Sequence, residues 1–137
     1  MESALLAVHV VAGILFVGPV AVAASLFPRY AVEGPAVAAA LHRITRVYGV
    51  LALVVPAVGI LLAVVQGRTT EIWVLIALVL TAVAGGLLLE IAPRQRAALA
   101  APNAGALRRI GMLTGVFNLL WAIVVVLMIV RPGSSYV

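Results

Sequence analysis

Apolar residues fall into four long runs, about Leu5 to Phe27, Val47 to Val65, Ile72 to Leu89 and Ile110 to Val130, with the arginines clustered at the borders between them. Each run is close to the roughly 20 residues that an α-helix needs to cross about 30 Å of hydrocarbon. The pattern predicts an all-α fold, a transmembrane antiparallel four-helix bundle. Spans are expected at about residues 4–27, 44–66, 71–91 and 108–131, within a single domain covering residues 1–137.

The breakers refine this picture. Pro28 disfavours helical geometry at Phe27, so the first helix is expected to end there, with a short loop over Tyr30 to Gly34. Gly18-Pro19 invites a kink inside that helix. Pro35 suits a first helical position, and a second helix is expected from about Pro35 to Gln66. At 1.5 Å per residue it would be roughly 48 Å long, more than the hydrocarbon alone requires. Gly67 to Thr70 reads as a tight turn, with Thr70 as the N-cap of the third helix. That helix should run on through Pro93, and "PNAG" should separate it from a fourth helix starting near Ala104. Helices two and three therefore extend past the membrane boundary.

Composition agrees. Of the 137 residues 66% are hydrophobic and 9% charged, against about 45–50% and 25% in soluble domains. No basic region precedes the first run, which is expected to be retained as a membrane span and not cleaved as a signal. With no cysteine there is no disulfide framework or thiol chemistry.

The net charge of +5 carries topological information. Arg29, Arg43, Arg46, Arg94, Arg96, Arg108 and Arg109 fall on the connections after helices one and three, whereas only Arg68 and Arg131 fall on the other side. The positive-inside rule then places the arginine-rich connections in the cytoplasm and both termini outside, N-out and C-out. The charge is thereby assigned to topology and anionic lipid, not to nucleic acid.

Few polar groups lie inside the runs. His9 stands alone in "AVHVVAGILF", with Gly13 and Phe16 on the same helical face. Imidazole can ligate a metal or carry protons, or can simply hydrogen-bond across a bundle. No second histidine lies in a span, so a bis-histidine haem site within one chain is not expected. Glu90 has Arg94 four residues on, the favoured order for a boundary ion pair. Thr81 and Asn118, with the small residues Gly111 and Gly115, suit helix packing and interhelical hydrogen bonding. Trp73 fits an aromatic belt. No HExxH, phosphate-binding glycine loop or nucleophile–base pair occurs, so no catalytic residue or metal ligand set is assigned.

Together "LLAVHVVAGILFVG", "RITRVYGVLALVVPAVGILLAVV", "APRQRAAL" and "LWAIVVVLMIVRP" resemble an uncharacterised four-helix bacterial integral membrane protein family, a domain of unknown function. His9 and "FPRY" at Phe27 to Tyr30 are also similar to HemJ/CopD-type membrane proteins, which implies haem bound through His9. The expectation from the residues themselves is a small, non-enzymatic membrane subunit or homo-oligomer in the bacterial plasma membrane, with no cofactor. Its partners would be lipid and other membrane chains. A haem-binding redox protein and a small transporter or channel are the alternatives. A reporter fused after Val137 is expected to be active only outside the cytoplasm; activity on the cytoplasmic side would overturn the orientation.

Overall fold

Gly34 is the one residue between the first two long helices. In the computed structural model, which describes residues 2–133, all secondary structure is helical, and four helices are long and apolar enough to cross a membrane. These are α1 (Glu2–Glu33), α2 (Pro35–Gln66), α3 (Ile72–Ala100) and α4 (Ala104–Val130). The outer ends of the chain, residue 1 and residues 134–137, to which the expected position of the termini refers, lie outside the described residues.

α1 does not stop at Pro28, and the loop expected over Tyr30 to Gly34 is helix as far as Glu33. The local bias against helix before proline is outweighed where unwinding would leave several backbone groups without partners, whereas a proline removes only one donor. The Pro28 ring lies beside α4, its Cγ 4.0 Å from where a Cβ on Gly111 would stand. Pro19 is accommodated differently. Residues Gly13–Val17 form a π-helical turn, and the Gly18 N–H bonds the Gly13 carbonyl. The wider turn makes room for a ring that would otherwise strike the preceding carbonyl.

α2 covers the expected residues but is interrupted at Ala52–Leu53, just before Pro56. Pro56 has no N–H to offer the Ala52 carbonyl, and the Val55 N–H takes that acceptor instead at 3.0 Å. At the other end Gly67 adopts φ +70°, and Arg68 N–H returns to the Ala63 carbonyl at 2.9 Å, a Schellman closure. The N-cap of α3 is Glu71, one residue later than the expected Thr70, and its carboxylate is taken by Arg68 and the Trp73 indole. Asn103 caps α4 by accepting the Ala106 N–H at 2.8 Å.

α3 and α4 meet along a seam repeating every seven residues. Val74, Ala77, Ala84, Ile91, Gln95 and Ala98 are buried on α3, and Leu107, Ile110, Thr114, Phe117 and Val124 on α4. The alternating steps of three and four are those of left-handed helix packing. At the arginine-bearing end all four helices close around Phe27, Ala31, Ala38, Ala98, Leu107 and Ile110. Around the middle, Val20 and Ala24 of α1 join Ala84, Ile91 and Phe117. At the far end Ala63, Trp73 and Val74 pack with Met128. Trp73 is thus a buried group and not part of a lipid-facing belt.

Phe27 is fully buried at the centre of the first cluster. Phe27→Ala is expected to cost about 3–5 kcal/mol, read as a lower melting temperature by circular dichroism in mild detergent. Melting unchanged from the parent would show that this end is not closed as described.

Candidate functional site

The buried polar groups separate by depth into distinct sets. The largest lies where α2 and α3 leave their apolar runs at the arginine-bearing end. His42 and Thr45, three residues apart, share a face of α2 and meet Gln95, which replaces an apolar residue in the seam of α3. Thr45 and Gln95 are fully buried and His42 nearly so. Thr45 Oγ1 donates to the Leu41 carbonyl at 2.9 Å, so its oxygen is left to accept from Gln95 Nε2 at 3.3 Å. Gln95 Oε1 then faces His42 Nδ1 at 3.0 Å and accepts its N–H. One carbonyl at the end of the chain therefore fixes both the amide orientation and the tautomer. His42 Nε2 is buried and has no hydrogen-bond partner. Beside it is a cavity of about 270 Å³ lined by His42, Arg46, Ala92, Pro93 and Arg96.

His9 lies at the opposite end. It is buried against α2, with Nδ1 3.0 Å from the Val55 carbonyl, which accepts its N–H. Its ring fits over Gly59: a Cβ there would be 2.9 Å from Cε1 and 3.7 Å from Nε2. Gly13, the small residue on its own helix, meets nothing within 4 Å, so the gap that receives the imidazole is on the neighbouring helix. An apolar cavity of about 370 Å³ beside α1 is lined by Ala7, Val8, Val11, Ala12, Leu15, Phe16 and Val54, without His9. The ring packs against the α2 backbone at Gly59 and does not line the neighbouring cavity. Among the described residues no three of His, Cys, Asp or Glu converge as a metal site.

Asn118 Nδ2 donates to Ser25 Oγ at 2.9 Å, joining α4 to α1, and Ser25 Oγ donates to the Ala21 carbonyl. Thr81 is half-buried on α3. Gly111 and Gly115 lie one position off the α3–α4 seam; both are exposed, and Gly115 has nothing within 4 Å of a would-be Cβ. Arg94 Nη2 donates to Glu90 Oε2 at 3.3 Å on an exposed surface. Such a pair is worth about 0–1 kcal/mol.

His42, Thr45, Gln95, Ser25 and Gly59 were not distinguished by the sequence pattern. Gln95 was the most visible of them, a polar residue where the seven-residue repeat requires an apolar one. No protein-family model, curated protein or solved structure matches the chain.

Gln95→Leu would leave the buried His42 Nδ1–H without an acceptor, at a cost of about 1–3 kcal/mol. Adding His42→Leu should recover much of that loss, and additive losses in the double variant would disprove the coupling. Gly59→Ala should lower stability by displacing the imidazole, but should do so far less in a His9→Ala background. Both cycles are read by thermal melting in detergent.

Proposed function

We propose that the protein is a non-catalytic subunit of the bacterial plasma membrane: an antiparallel four-helix bundle with both termini outside and its arginine-bearing end in the cytoplasm. The charge distribution supports the orientation. Glu33 and Glu90 pair with Arg29 and Arg94 on their own helices, and Glu71 pairs with Arg68. Seven arginines and two glutamates lie at one end, and two of each at the other, so the whole net charge of +5 belongs to a single end. A cytoplasmic leaflet rich in anionic lipid attracts that end.

One observation carries the reading of the protein as an assembly component. Gly85, Gly86 and Gly115 lie exposed on α3 and α4 with open space where a side chain would project. Lipid gives no reason to prefer glycine on an outward face, whereas a neighbouring helix does, because small residues let backbones approach closely. The interior groups support a structural role too, since His9, Gln95 and Asn118 each spend a donor on a bond between helices. The favoured assembly is a homo-oligomer.

The absence of cysteine makes the test direct. Gly115→Cys and Gly86→Cys in native membranes should form disulfide-linked dimers under mild oxidation. Val50→Cys, exposed on α2, should not. Failure of both glycine positions to cross-link, with a monomeric mass in detergent, would overturn the homo-oligomer. A Soret band in the purified protein that is lost in His9→Ala would overturn the reading as a non-redox subunit.

A further inference from the structure

We infer that the cavity between α2 and α3 at the arginine-bearing end is a binding site for a phosphate group. The inference is independent of the oligomer; only its lipid arm rests on the membrane orientation proposed above.

The first ground is the donor set. His42, Arg46 and Arg96 line the cavity with Ala92 and Pro93, and no carboxylate is among them. Neither arginine has an ion-pair partner among the described residues, because the nearby acids are engaged elsewhere: Glu90 with Arg94 and Glu33 with Arg29. Two guanidinium groups exclude a metal cation and favour an oxyanion, to which each can present paired N–H donors.

The second ground is the imidazole. His42 is 8% exposed, and its Nδ1 is committed to Gln95 by a chain of bonds that ends on a backbone carbonyl. Nε2 is the one ring nitrogen left, and it is buried without a partner. Leaving a buried polar atom unpaired is unfavourable, so an unpaired atom beside a cavity marks a place for a ligand. With Nδ1–H given to Gln95, Nε2 is an acceptor, which the hydroxyl of hydrogen phosphate or of a phosphate monoester can satisfy while the remaining oxygens accept from the arginines. A carboxylate only accepts and would leave Nε2 unpaired.

The third ground is depth. Counting about 20 residues per hydrocarbon crossing from the far ends of α2 and α3 brings the boundary to about residues 47 and 91. His42 and Arg96 are each five residues beyond it, about 7.5 Å at 1.5 Å per residue. That is the level of lipid headgroups, and it is also open to phosphate from the aqueous side. A volume of about 270 Å³ holds a phosphate group with some of its water, given about 30 Å³ per water molecule.

The test uses the full chain in mild detergent with ¹⁵N-labelled histidine. The chain has two histidines, and His9→Gln assigns their signals. Dioctanoyl phosphatidic acid should shift the His42 Nε2 resonance saturably and leave His9 in place. If inorganic phosphate produces the same shift, the ligand is a soluble phosphate; if phosphatidic acid alone does so, it is a headgroup. No shift from either, or an equal shift from dioctanoyl phosphatidylcholine, would overturn the site. Arg46→Gln and Arg96→Gln should each weaken binding about fivefold, whereas Arg43→Gln and Arg108→Gln, outside the cavity, should stay within twofold. Equal losses in all four would mean diffuse attraction to a basic end and would overturn the site. Arg96 is exposed and belongs to none of the buried clusters, so its variant tests the site even if Arg46→Gln fails to fold.

Discussion

A backbone amide in hydrocarbon has no water to turn to, and the structure is organised around that constraint. The chain tests it by placing Pro19 in α1 and Pro56 in α2, and continues as helix through Pro28 and Pro93 toward the arginine-bearing end. Each answer is local. A π turn widens before Pro19, and the Val55 N–H slips to the Ala52 carbonyl before Pro56. His9 belongs to the same account. Its N–H bonds the carbonyl of Val55, immediately before Pro56, so a side chain of one helix supports the irregular stretch of the next.

With backbone groups satisfied within each helix, what joins the helices changes along their length. Lipid tails are as apolar as Leu, so burying apolar surface between helices gains little in the hydrocarbon. There the contacts rest on shape, as where the imidazole fits over Gly59, and on single polar bonds such as Ser25 to Asn118. At the arginine-bearing end the helices outrun the hydrocarbon, and the cluster around Phe27 can draw on ordinary hydrophobic burial. Between the two regimes lie His42, Thr45 and Gln95, too polar for hydrocarbon and too buried for water, which is why they satisfy one another.

The apolar runs revealed four helices because spanning length is written directly in them, and the start of α4 followed from the break at "PNAG", where Asn103 turns out to cap the helix. The end of α1 was not legible. A proline rule describes a local preference, whereas the helix persists through Pro28 for a reason that lies in its surroundings. The set around His42 was hidden for a related reason: Gln95 and His42 are 53 residues apart, and only the pairing of α2 with α3 brings them together. Gly111 and Gly115 are a different case. Their spacing is right for close packing, but the seam runs through Ile110, Thr114 and Phe117, and no spacing rule tells which face of an all-apolar helix turns inward.

The one-residue link at Gly34 acts as a ruler. Gly34 stands 25 positions after His9 and 25 before Gly59, so with equal rise in both helices these residues come level without further specification. One residue added to either arm would move everything beyond it by about 1.5 Å and turn it by about 100°, carrying the imidazole off its glycine and away from the Val55 carbonyl. The separation between link and histidine is therefore intolerant of insertions and deletions, even where every residue along it could be exchanged for another apolar one. In such a hairpin, length is held more tightly than composition.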